Sequence, residues 1–156
     1  MSKVLSFSPC FKAGTQVLTK VGYKDIELVC SEDEVLSHEN NWVKVKGVNQ
    51  AEDKALWKIR THDGLKFYVA EGQGFYTSVA NSHNFSVPMF KSVEDLTSDD
   101  YLISIVSPNG SGQVVYDYDR VMTIEKTDRV VTVYGVELIN ENDFALIVND
   151  RIVRSL

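Results

Sequence analysis

At 156 residues, 44% hydrophobic and 24% charged, the chain has the size and composition of one globular domain with a real hydrophobic core. Its formal net charge of -6 argues against a nucleic-acid surface, which shows clustered Lys and Arg; the local concentration of Lys44, Lys46, Lys54, Lys58 and Arg60 reads as a solvated face of strands. No run approaches the ~18 apolar residues of a membrane-spanning helix. Met1 to Pro9 is too short and polar for a secretory signal, so a cytoplasmic protein is expected.

The folded region opens at Cys10-Phe11-Lys12-Ala13-Gly14-Thr15-Gln16-Val17, a thiol followed by a small-residue turn and an apolar/polar alternation. That placement suits a cysteine able to attack the peptide bond that joins it to Pro9. A buried core cysteine has the same composition around it. Strand signals then recur with turn residues between them. Thr15 to Thr19 is a predicted strand, turned by Val21-Gly22-Tyr23-Lys24, and Ile26 to Val29 is a short helical turn. A strand follows at Val35-Leu36-Ser37. After the polar break at His38 to Asn41, the run Trp42 to Val48 alternates with period two, which implies one buried face.

Leu56 to His62, Asp63-Gly64 and Leu65 to Val69 form the strongest hairpin signal, because the tight turn needs positive φ. Glu71-Gly72-Gln73-Gly74 is a loop closing onto Phe75-Tyr76-Thr77. Val93 to Leu96 is a helical turn before a strand over Tyr101 to Val106. Pro108-Asn109-Gly110-Ser111-Gly112 is the most flexible stretch by composition and the expected exposed loop. Two strands are predicted at Val121 to Glu125 and Val130 to Leu138. Asp143 to Val148, a turn at Asn149-Asp150, and Arg151 to Arg154 make a hairpin that returns the chain to the sheet. The expectation is all-β, with about ten or more short strands and one or two helical turns.

Cys10 and Cys30 supply neither a disulfide framework nor a zinc set, and no cofactor is implied. Cys30 is expected in the core, with Trp42, Trp57, Phe67, Phe75, Tyr76 and Phe144. His62 abuts a hairpin turn and should face solvent; His38 and His83 fall in loops. Asp95, Asp99 and Asp100 suit caps at helix and strand starts better than a cation site.

In order and spacing, several segments together resemble the Hint module shared by inteins, bacterial intein-like domains and hedgehog autoprocessing domains. Cys10 to Thr15 resembles its start. Gly22-Tyr23-Lys24-Asp25-Ile26-Glu27-Leu28 is similar to its Gly-x-Lys-x-Ile-Glu pattern, and Glu32 to Ser37 to the Gly-Asp-x-Val-Leu-Ser that follows. Val69 to Thr77 is similar to Val-Thr-x-x-His-Pro-Phe-Tyr-Thr, and Tyr134 to Ser155 to the closing hairpin. The resemblance implies a horseshoe-like fold of many short strands, with residues 1–9 as an extein-like flank and 10–155 as the Hint domain. It has no homing-endonuclease insert, whose place in inteins would be near Pro108 to Gly112.

The resemblance further implies a nucleophilic Cys10 that exchanges the Pro9–Cys10 amide for a thioester. A block histidine protonates the leaving amine, and a terminal Asn, helped by the His before it, then cyclises. Here Ala70 and Gln73 stand at the block Thr and His positions, and Arg154 and Ser155 at the terminal His-Asn pair. Glutamine cannot shuttle a proton, and loss of a general acid costs ~10²–10⁴-fold in rate. Serine has no carboxamide to cyclise, Pro9 crowds the carbonyl under attack, and Leu156 is no nucleophile. The expectation is an intein-like domain with a degenerate site, at most self-cleaving once, acting on its own flanking polypeptide. The alternative is a non-catalytic structural or interaction module in a phage or other assembly. A bacterial or phage setting fits the resemblance.

Overall fold

The computed structural model describes residues 9–140 and 142–156; the expected flank therefore lies outside the described residues except for Pro9. The described residues form twelve strands: β1 (Phe11–Lys12), β2 (Gln16–Thr19), β3 (Gly22–Asp25), β4 (Glu34–Leu36), β5 (Trp42–Thr61) and β6 (Lys66–Ala70), followed by β7 (Gly74–Val79), β8 (Met89–Ser92), β9 (Asp100–Ile105), β10 (Tyr116–Leu138), β11 (Ala145–Val148) and β12 (Arg151–Arg154). Two single 3-10 turns, Ile26–Leu28 and Val93–Asp95, stand where helical turns were expected.

All pairings are antiparallel, in the order β11-β12-β7-β9-β10-β1-β6-β5-β4-β2-β3, with β8 on β7. Two further pairings fold this path onto itself. Val148 of β11 meets Val17 of β2, so strands near opposite ends of the order touch, and β10 runs beside β5 along most of its length. The β11–β2 contact covers part of the free edge of β11, as barrel closure does, while β3 and β8 each keep a single partner strand. The largest core cluster joins Phe67, Phe75, Val17, Ile59, Leu102 and Leu146, contributed by strands far apart in sequence.

Strand continuity departs from the expectation. Trp42 to Val48 and Leu56 to Thr61 belong to one 20-residue strand, with His62 already in the turn, and Val121 to Glu125 and Val130 to Leu138 to one of 23. The polar interruptions are bulges, not turns: the register shifts between Lys126/Trp57 and Val130/Ala55, and the Thr127 hydroxyl donates to the Leu56 carbonyl at 2.7 Å. A bulge leaves its extra residues unpaired while the ladder resumes beyond them.

Gly22 to Lys24, expected as a turn, are strand residues; the reversal sits at Lys20-Val21. At the Asp63-Gly64 hairpin only Gly64 has positive φ, at 90°, with Gly64 N–H donating to the Thr61 carbonyl. This is the three-residue loop with a left-handed last position. Asn149 and Asp150 have φ of 46° and 64°, the two-residue type I′ turn, so the closing hairpin forms as expected.

The loop at Pro108 to Gly112 is exposed but not loose. Asn40, fully buried, donates through Nδ2 to the carbonyls of Ser107 (3.1 Å) and Gln113 (2.7 Å) and accepts the Gly110 N–H at 3.0 Å. Its own carbonyl accepts from Gly112 N.

Candidate functional site

The site is built on one edge of β10. Phe11 of β1 pairs with Tyr134 on one side and Val69 on the other, so Cys10 enters between β10 and β6. Its N–H donates to the Tyr134 carbonyl at 3.2 Å, and its carbonyl accepts from Ala70 N–H at 2.7 Å. Two residues further along the same edge, the Val136 carbonyl accepts from Leu156 N–H at 2.9 Å. Carbonyls two apart on a strand point the same way, about 7 Å from one another. The first and last described segments therefore dock side by side. Gly135 lies between them, and a Cβ there would sit 2.9 Å from Leu156 Cγ. A glycine inside a strand often marks such a close approach.

The Cys10 side chain is 3% exposed and packs with Leu56, Ala70 and Val133, its Sγ 3.6 Å from the Glu71 carbonyl. Burial pushes the thiol up from an ordinary 9.0 to about 12; the Glu94 carboxylate adds to the rise, and Lys54 opposes it. The first is the unfavourable transfer of a thiolate into a poorly solvated place, and the second is repulsion between like charges. Pro9 borders a cleft of about 300 Å³ with Lys54, Trp57, Ala70 and Glu71.

Ala70 and Gln73 bracket a tight turn at the end of β6, with Gln73 N–H pointing to the Ala70 carbonyl. Gly72 holds φ of 93°, and its N–H is taken by Glu94 Oε1 at 2.9 Å. Gln73 is buried, and its Nε2 donates to the carbonyls of Arg154 and Gly74, both at 2.9 Å. It thereby ties this turn to the closing strand. A Cβ on Gly74 would lie 2.9 Å from Arg154 Cβ, so the close approach needs glycine there. The Arg154 guanidinium lies over the rings of Phe144 (5.0 Å) and Phe90 (5.6 Å). Ser155 is buried; its N–H donates to the Phe144 carbonyl at 2.9 Å.

Thus Cys10, Ala70, Gln73, Arg154 and Ser155 share one neighbourhood, linked through the turn at 70–73 and the β10 edge. Sequence reasoning missed Glu94 and Lys54, the charges that add to and oppose the effect of burial on the thiol, and Gly135, the platform for both ends. Gly135 carried a usable signal, a lone glycine in a strand run. Glu94 carried none, because its relation to Cys10 is purely tertiary.

Cys30 is exposed, not core, and the two cysteines form no disulfide; its N–H caps onto Asp33 Oδ2, which holds it in a surface turn. Trp42, Trp57, Tyr76 and Phe144 are only partly buried, packed on the core's margin, whereas Phe67 and Phe75 are fully enclosed. His62 and His83 are exposed. His38 is half-buried against Phe144 and Tyr76, and burial lowers its pKa, against the opposing pull of Glu39 and Asp143. Asp100 is buried, paired with Lys91 at 3.0 Å and capping Thr97 N–H. Among the described residues no group of three or more His, Cys, Asp or Glu side chains could hold a metal. No helix there is long and apolar enough to cross a membrane.

No protein-family model matches the sequence, and no curated protein is significantly similar to it. Solved structures are similar over nearly the whole chain. A DnaB intein from Synechocystis sp. is 14% identical with a TM-score of 0.72, covering 96% of this chain and 99% of that one. The gp41-1 intein is 19% identical with a TM-score of 0.71, covering 96% and 100%. A bacterial intein-like domain from Clostridium thermocellum is 19% identical with a TM-score of 0.68, covering 97% and 100%. The ring of antiparallel strands that docks Cys10 and Leu156 on one edge of β10 is the Hint fold, the horseshoe of mini-inteins and bacterial intein-like domains.

Proposed function

We propose that residues 10–155 form an intein-like autoprocessing domain whose catalytic motifs have degenerated, so that it neither splices nor readily cleaves the polypeptide before Cys10. The carrying observation is the state of Gln73: its carboxamide is committed to two backbone carbonyls at the position where the resemblance sets the block histidine. In the acyl shift, Cys10 Sγ would add to the Pro9 carbonyl carbon, the C–N bond would break, and a proton would pass to the leaving amine. That step needs a thiolate and a proton donor. The thiol held near 12 and a side chain without a titratable proton supply neither at neutral pH. Ser155 offers no carboxamide for the last step. No cofactor enters this chemistry, and a bacterial or phage setting is part of the reading.

The test is intact mass of residues 1–156 incubated with a strong thiol at neutral pH. The expected result is an unchanged mass over days. Loss of Met1–Pro9, abolished in Cys10→Ala, would overturn the proposal in favour of a working nucleophile. The variant Pro9→Gly/Gln73→His should gain thiol-induced cleavage, because it restores a proton donor and opens the carbonyl. The thiol's burial equally suits a non-catalytic interaction module in an assembly, and for that reading even the restored variant stays inert.

A further inference from the structure

A basic face stands out on a chain whose net charge is -6. Tyr68 on β6 has three cations around its ring: Lys12 Nζ at 5.1 Å, Lys58 Nζ at 5.9 Å and the Arg129 guanidinium at 5.8 Å from the centroid. Lys58 is directly opposite Tyr68 across β5 and β6, and in the next outward-facing pair Arg60 faces Lys66. Like charges directly opposite on paired strands are destabilising. None of these five cations forms an ion pair among the described residues, although Lys20, Lys24, Lys46, Lys91, Arg120 and Arg151 all do. Glu125, opposite Lys58 on β10, makes no ion pair with it. Beside the ring a cleft of about 250 Å³ opens between Lys12, Thr15, Lys66, Tyr68 and Asn149.

We propose that the face around Tyr68 is a docking surface for an acidic polypeptide segment of a partner. The cations, gathered around the ring whose negative face attracts them, are complementary to carboxylates that are desolvated on binding, and charge complementarity of this kind gives specificity and association rate. Ligand pockets start near ~300 Å³, so the cleft takes a side chain or two of an extended segment, not a whole small-molecule ligand. A short acidic segment fits better than nucleic acid: Glu27, bound to the Gly14 N–H, and Glu125, opposite Lys58, end the basic area on two sides, which leaves room for a few carboxylates and not for a continuous polyphosphate backbone. The inference is independent of Cys10 chemistry.

The test uses the whole chain, a fluorescein-labelled oligoglutamate peptide and fluorescence anisotropy at low salt. Saturable binding is expected, weakened at least fivefold by Lys66→Glu/Arg129→Glu and by a separate Tyr68→Leu. The control Lys44→Glu/Lys46→Glu makes the same change in net charge elsewhere on β5 and should leave binding within twofold. Absence of saturable binding, a loss under fivefold at the patch, or an equal loss in the control overturns the proposal. Tighter binding of a single-stranded oligonucleotide than of the peptide also overturns it and assigns the face to nucleic acid. Thermal melts of each variant separate lost binding from lost fold.

Discussion

Cys10 is where chemistry and packing compete. The same tight seating that places its carbonyl on Ala70 N–H removes its sulfur from water, and desolvation outweighs the attraction of Lys54. Three pKa units correspond to roughly a thousandfold less thiolate at a given pH. Iodoacetamide at pH 7.5, with peptide mapping, should therefore label exposed Cys30 rapidly and buried Cys10 at least a hundredfold more slowly. Comparable labelling of both would mean that the first segment undocks readily. Glu94→Gln removes one cause of the rise and should speed Cys10 labelling, though by less than unfolding does, because burial is the larger cause. The residue types at 10, 73 and 155 could be read from the chain. The thiol's suppressed ionisation could not, since it depends on burial against Leu56, Ala70 and Val133 and on the Glu94 carboxylate, all distant in sequence.

Two elements depend on buried polar groups, and each makes a prediction. Asn40 holds the Pro108–Gly112 loop from inside. Asn40→Ala leaves carbonyls and an N–H without their partner, so denaturant unfolding should show a loss of about 2 kcal/mol or more. A loss below about 0.5 kcal/mol would mean that the loop is held elsewhere. Composition marked that loop as flexible because glycine and proline carry no record of a side chain sixty-seven or more positions away that binds their backbone. Arg151 of β12 reaches Asp119 on β10 at 2.9 Å and Asp63 in the hairpin turn at 3.1 Å. Arg151→Met strands a buried Asp119 carboxylate and should cost about 3–5 kcal/mol. The double variant Arg151→Met/Asp119→Leu should recover much of that loss. If it is as unstable as the single variant, shape and not charge is what Arg151 supplies. The long strands β5 and β10 teach the same lesson at this scale: their polar interruptions look like turns until the partner strand supplies the bulge that absorbs them.

For the whole molecule, the pH dependence of unfolding reports whether both ends stay docked. Cys10 has a folded pKa raised from 9.0 to about 12. The unfolded chain therefore releases its proton first, and stability is intact below pH 9 and falls as pH rises toward 12. Tyr23, raised to about 12 by its hydrogen bond to Asp150, adds a smaller loss of the same sign because it is half exposed. Chemical unfolding midpoints should decline between pH 8.5 and pH 10.5, and Cys10→Ala should flatten the decline. A slope unchanged by the substitution would place that thiol in water in the folded state.

Alternation, turn residues and the order of short motifs were enough to determine an all-β chain, its closing hairpin, its two helical turns and the Hint likeness, because strand period, left-handed turn positions and spacing are properties of local sequence. The tertiary structure alone decided that strands read as separate are continuous, that Cys30 lies outside the core, that Gln73 binds the Arg154 carbonyl, and that Cys10 and Leu156 meet across Gly135. Each of those depends on which distant backbone closes against which, and no local pattern encodes that partner.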